Sequence, residues 1–153
     1  MPYKLKISCF LIAIFTYSCS KQTEVLPSEP VYRSYLALGD SYTIGQGVAL
    51  SEAFPNQLVQ KLRAGGKYIR YPEILARTGW TTGELAAAMA DYAFEQVRYD
   101  FVTILIGVNN QFRGLSTEQY RQEFESLLDA AIRLAGGQTG RIIVLSIPDY
   151  SVT

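Results

Sequence analysis

The 153-residue sequence contains no histidine, only two cysteines and no net charge, its 14 basic side chains matching 14 acidic ones. Each shortage excludes something. Histidine is the most frequent general base beside a serine nucleophile, so a hydroxyl nucleophile in this chain has no imidazole to activate it. Two cysteines cannot build a disulfide framework, and with no His/Cys cluster no metal site is expected. Zero net charge argues against a nucleic-acid partner, which would need a basic face. The longest uncharged apolar stretch falls short of the roughly 20 residues a membrane-spanning helix requires. "GQGVAL" (45–50) lacks the third glycine of a dinucleotide fingerprint, and "GGK" (65–67) lacks the first glycine of a phosphate loop. No cofactor is therefore expected. No internal repeat or low-complexity tract is present.

What remains is the composition of one ordinary globular domain, 48% apolar, with eleven scattered tyrosines. The N-terminus reads differently. "MPYKLK" and then "ISCFLIAIFTYSC" give a basic start and a short apolar run, the layout of a secretory signal. The run closes on "TYSCSK", which resembles a bacterial lipoprotein signal with Cys19 as the lipidated residue, although Thr16 and Tyr17 are not the usual pair before it. This implies a signal peptide over 1–18, export, and a membrane-anchored lipoprotein on the periplasmic or cell-surface side. An ordinary signal peptide is the alternative. Cys9 falls inside the signal, so Cys19 is left without a disulfide partner. Residues 19–32, polar and carrying Pro27 and Pro30, read as a tether.

From residue 33 to 153, strand-like and helix-like segments alternate. "YLALG" (35–39) is a short apolar run closed by glycine. Phe54, Leu58, Val59 and Leu62 give helical spacing over 51–62, stopped by Gly65 and Gly66. "YPEILA" (71–76) is a second strand. Thr81 and Glu84 are spaced as a capping box ahead of "LAAAMADYAF". "FVTILIG" (101–107) is the continuous β-branched run of a strand buried on both faces. Ser116 and Gln119 suggest a second box, and Tyr120, Phe124, Leu127, Leu128, Ala131, Leu134 and Ala135 mark one helical face ended by Gly136-Gly137. "RIIVLSI" (141–147) is a fourth strand. The order predicts a parallel sheet with helices on both faces.

Such sheets bind ligands beyond the carboxyl ends of their strands. Polar residues stand there: Gly39-Asp40-Ser41, Thr78-Gly79-Trp80, Gly107-Val108-Asn109-Asn110, and Asp149. Ser41 at a strand-to-helix junction can offer a hydroxyl nucleophile and a backbone N–H to a developing oxyanion, or it can be a helix cap or turn residue. Gly79 can expose an N–H or simply make a turn. Asn109 can donate its amide to an oxyanion or satisfy its own loop. The joint placement of the three is the argument.

"GDSYT", "RTGWTT" and "GVNN", in this order and at these intervals, resemble the first three blocks of the SGNH (GDSL-type) esterase and lipase superfamily. The resemblance covers Tyr35 to Thr153 and implies a three-layer α/β/α flavodoxin-like fold. It implies Ser41 as the nucleophile, with the Ser41 N–H, the Gly79 N–H and the Asn109 side chain as the oxyanion hole. Asp40 would orient the turn without being the acid of a triad. The implied activity is hydrolysis of a carboxylic ester such as a short acyl ester, an acylated glycan or a lysophospholipid. A non-catalytic surface lipoprotein that binds an acylated glycan or lipid is the alternative.

Three departures accompany the resemblance. Tyr42 replaces the commoner leucine, and Asn110 replaces an aspartate; both bear on substrate choice or loop rigidity. The third is the family's Asp-x-x-His block, which has no counterpart at "SIPDYSVT", where Asp149 has no histidine three residues on. The expectation is a truncated hydrolase domain lacking a final strand and helix, inactive as it stands, with "RIIVLSI" as an exposed apolar edge.

Overall fold

The computed structural model describes residues 29–148. The expected signal, Cys19 and Asp149 lie outside these residues. Four parallel strands form one sheet: β1 (Tyr35–Gly39), β2 (Glu73–Ala76), β3 (Phe101–Leu105) and β4 (Ile142–Val144). Their spatial order is β2-β1-β3-β4, with Leu38 opposite both Leu75 and Ile104, and Thr103 opposite Ile143. The helices are α1 (Ser41–Ile44), α2 (Phe54–Ala64), α3 (Thr82–Asp91), α4 (Val108–Phe112) and α5 (Thr117–Leu134).

The period of two along β1 divides the core into two layers. Leu36 and Leu38 join Leu75, Val102 and Ile104 on one face, beneath Leu85 and Met89 of α3 and Leu127 and Ala131 of α5. Tyr35 and Ala37 face the other way, against Val59, with Leu58 and Leu62 of α2 packed around them. Helices therefore cover both faces, as the alternating pattern predicts. β1 is buried along its whole length, and β3 is buried from its second residue onward.

Element ends differ from expectation where local chemistry intervenes. Residues 50–52 form a separate 3-10 turn, and α2 starts at Phe54 because Pro55, with its fixed φ, fits the first helical turn. The Thr81–Glu84 box forms in both directions: Glu84 N–H reaches Thr81 Oγ1 (3.3 Å), and Thr81 N–H reaches Glu84 Oε2 (2.8 Å). At α5 only half of the box forms. Ser116 Oγ accepts the Gln119 N–H at 3.1 Å, but the Gln119 side chain turns to Glu123 Oε1 at 2.8 Å. α3 stops at Asp91, and the Tyr92 and Phe94 rings beyond it stack edge-on at 5.0 Å. β4 is shorter than its apolar run. Ile143 (48% exposed) and Val144 (49%) form the uncovered edge, beside a groove of about 810 Å³ lined by Phe54, Leu58, Leu62, Phe101 and Leu145 among others.

At the amino ends of the central strands, Asp100 ties the chain together. It accepts the Ser34 N–H (3.0 Å) and hydroxyl (3.2 Å), and it faces Arg33 (3.5 Å) and Arg141 (3.8 Å). The Ser34 N–H, more than the serine hydroxyl or the two guanidinium groups, holds the Asp100 carboxyl below the usual carboxylate range against the opposing effect of burial. A folded value below the unfolded one gives stability that is present above about pH 4 and lost as pH falls through the folded value. Asp100→Asn is therefore expected to flatten the fall in Tm below about pH 4, read from melts at successive pH values. An unchanged acid slope would remove Asp100 from the linkage.

Candidate active site

The three loops after β1, β2 and β3 meet at one rim. The first is organised by Asp40, not by Ser41. Asp40 is buried, its Oδ1 accepts the Tyr42 N–H at 3.0 Å, and its carbonyl accepts the N–H groups of Thr43 (3.0 Å) and Ile44 (3.2 Å). The cap of α1 is thus an aspartate, and Ser41 is the first helical residue with its hydroxyl released from capping. Burial pushes the Asp40 carboxyl up, offset in part by the Tyr42 N–H. Half-buried, Ser41 lines a cleft of about 540 Å³ with Tyr42, Gln46, Val48, Ala53 and Phe54.

The second loop turns at Gly79, whose φ of +82° lies in the left-handed region that disfavours any residue with a Cβ. Space is not the reason for glycine here, since a Cβ would meet only Arg113 Nη2 at 3.6 Å. Trp80 N–H closes the turn onto Arg77 O at 3.2 Å. Among the described residues, neither the Ser41 N–H nor the Gly79 N–H has a hydrogen-bond acceptor.

The third loop supplies Asn109. Its Nδ2 donates to Trp80 O at 2.9 Å and lies 3.5 Å from Asp40 Oδ2. The amide therefore bridges the other two loops, 29 and 69 residues away in sequence, and does not serve its own loop. One Nδ2 hydrogen is engaged by Trp80 O. The second, on the Asp40 side, meets an acceptor only at the limit of hydrogen-bond distance. Ser41, Gly79 and Asn109 are thus on neighbouring loops that the Asn109 amide bridges.

An outer set of bonds braces the same rim. Arg113 Nη2 donates to Gly79 O (2.6 Å) while Nη1 reaches Glu84 Oε2 (3.4 Å), and Thr78 Oγ1 donates to Gln46 Oε1 (2.6 Å). Asn110, behind the rim, accepts the Thr82 N–H at 3.0 Å and donates to Thr82 Oγ1 at 2.7 Å. The sequence reading missed Gln46, Thr82, Arg113 and Glu123. Arg113 carried a usable signal, lying four residues after Asn109 and so on the same helical side. The others carried none, because the bonds that bring them to the rim, Gln46 to Thr78 and Thr82 to Asn110 and Glu123, join groups distant in sequence.

Residues 37–152 match the GDSL-like lipase/acylhydrolase family. Among solved structures, the chain is similar to TesA (TM-score 0.65, 23% identity, 75% of this chain and 61% of that one). It is also similar to AlinE4, an SGNH-hydrolase family esterase (TM-score 0.63, 26% identity, 76% and 60%). A third likeness is to the psychrotrophic esterase EstA from Pseudoalteromonas sp. (TM-score 0.57, 20% identity, 75% and 60%), in a structure inhibited by monoethylphosphonate. The chain spans about 60% of the length of these structures. No curated protein matches it. The parallel sheet, the placement of "GDSYT", "RTGWTT" and "GVNN" at its carboxyl edge, and the match over 37–152 lead to one assignment. This chain belongs to the GDSL-like lipase/acylhydrolase family.

Proposed function

We infer that Ser41 is the nucleophile of a carboxylic ester hydrolase and that the Ser41 N–H, the Gly79 N–H and the Asn109 amide form its oxyanion hole. The observation that carries this reading is the Asn109 amide, held by Trp80 O beside a serine whose capping role Asp40 has taken. In the reaction, Ser41 Oγ attacks the ester carbonyl while an external base such as imidazole takes its proton. The tetrahedral intermediate collapses as that proton is returned to the departing alkoxide, releasing the alcohol. Water then cleaves the acyl-serine. The negative oxygen of each tetrahedral intermediate is stabilised by donors already fixed in place, which need no reorganisation when the charge develops.

The proton acceptor is the missing component. No histidine occurs in the 153 residues, and Asp40 is committed to its own turn. Positioning and an oxyanion hole alone give roughly 10³–10⁴-fold acceleration over water in serine hydrolases stripped of triad members. We therefore place these residues, by themselves, near that residual level, with the imidazole supplied from outside them.

Free imidazole is the direct test. In a series of p-nitrophenyl acyl esters, and with a fluorophosphonate probe, the 153-residue protein is expected to react slowly alone and faster as imidazole is added. Ser41→Ala measures the background. A response to imidazole that is the same in the parent and in Ser41→Ala would sink the nucleophile assignment. It would favour a cleft that only binds an acylated glycan or lipid.

A further inference from the structure

Asn110 stands where the family pattern that "GVNN" resembles implies an aspartate, and its surroundings suit the amide. Its side chain is buried, the residue being 2% exposed. The Thr82 N–H points at Asn110 Oδ1 from 3.0 Å, and a backbone N–H can only donate, which fixes the orientation of the amide. Nδ2 must then face Thr82 Oγ1, at 2.7 Å, and donate to it. The hydroxyl hydrogen of Thr82 is left for Glu123 Oε2, to which it donates. The other Glu123 oxygen accepts the Gln119 amide at 2.8 Å. Through Thr82 the direction is amide to hydroxyl to carboxylate, and the Asn110 amide and the Gly83 N–H add smaller favourable contacts to the same carboxylate.

We propose that Asn110, Thr82 and Glu123 form a one-way relay that positions Asn109, and that the amide at 110 and the carboxylate at 123 are a matched pair exchangeable only together. The positioning role rests on the reading of Asn109 as an oxyanion donor. The relay joins α4, the start of α3 and α5. Asn109 grips Trp80 O, and the next residue, Asn110, grips Thr82 two positions further along the same segment. Two successive side chains of α4 thus clamp the start of α3, and Glu123 anchors that clamp to α5.

An aspartate at 110 breaks the direction. It would accept from both the N–H and the hydroxyl of Thr82, leaving Glu123 Oε2 against an oxygen with no hydrogen to give. Two carboxylates would then flank one hydroxyl, each raising the other's proton affinity. Changing Glu123 to glutamine at the same time reverses the relay. The new amide donates to Thr82 Oγ1, the hydroxyl donates to the carboxylate at 110, and the Gln119 amide keeps its acceptor.

The experiment is a double-mutant cycle of the parent, Asn110→Asp, Glu123→Gln and the double variant in the full chain. Three readouts are taken: Tm, the emission of Trp80 as the sole tryptophan, and imidazole-assisted ester turnover. Asn110→Asp is expected to lower Tm by roughly 5–10 °C, the size of one buried polar mismatch in a domain this large. It should also shift Trp80 emission to the red and lower kcat about tenfold with little change in KM, since the donor lost acts on the transition state. The double variant is expected to return Tm to within about 2 °C of the parent and to recover emission and kcat. Additive losses overturn the pairing. Recovery of Tm and emission without recovery of kcat overturns the positioning role. If no form, the parent included, shows Ser41-dependent turnover, the esterase reading and the positioning role fall together. The pairing is then still decided by Tm and Trp80.

Discussion

Ser41→Ala is expected to abolish all imidazole-dependent fluorophosphonate labelling while leaving Tm within about 1 °C of the parent, because the hydroxyl it removes caps nothing. The two halves of this expectation come from one local arrangement. Asp40, not Ser41, takes the Tyr42 N–H and starts α1, so alanine at the first helical position costs the fold little. Asp40→Ala makes the contrast. It removes a cap, for which about 1 kcal/mol is typical, and it takes a carboxylate oxygen away from beside the Asn109 amide. Gel fluorescence after labelling and thermal melts of both variants decide the matter. A drop of several degrees in Ser41→Ala would make Ser41 a structural residue and weaken its assignment as the nucleophile.

The largest effect on stability is expected from Gly39→Ala. At the end of β1, a Cβ would lie 2.1 Å from Thr43 Oγ1 and 2.4 Å from Leu105 O. The second contact is with backbone of the adjacent strand, so no rotamer change relieves it. Either β3 moves away from β1 or α1 is pushed off the end of its strand. Overpacking of a core by a methyl group typically costs about 1–3 kcal/mol, and a clash with backbone belongs at the upper end or beyond it. A Tm loss of roughly 10 °C follows for about 3 kcal/mol in a domain of this size. Because Ser41 is two residues away, the labelling that survives in the folded fraction should fall as well. A melt within 2 °C of the parent would mean that the approach of β1 and β3 at Gly39 is looser than described.

These outcomes bear on different levels of the structure. Gly39 tests whether the strands meet closely enough to present a rim, Ser41 tests the chemistry at that rim, and the Asn110–Glu123 exchange tests the support behind it. A catalytic donor misplaced by about an ångström loses much of its effect on the transition state. On the proposed reading the support therefore belongs to the site, although Thr82 and Glu123 bond to Asn110 and to each other and not to Ser41.

The sequence alone determined the architecture. The continuous apolar runs of "YLALG" and "FVTILIG", alternating with the helical faces of α2 and α5, pointed to a parallel sheet between helices, because apolar spacing is a local property tied to backbone geometry. It also placed the polar residues of the proposed site, since residues that follow buried strands of a parallel sheet have only the carboxyl edge to occupy. The Thr81–Glu84 box was readable for the same reason, its two partners lying one helical turn apart. Only the tertiary structure decided that Asn109 serves Trp80 and Asp40 and not its own loop, that Asp40 releases Ser41 from capping, and that Asn110 is tied through Thr82 to Glu123. Most of those bonds join groups 28 to 69 residues apart. Their formation depends on how three loops and three helices come to rest, and no periodicity or spacing within one segment encodes that.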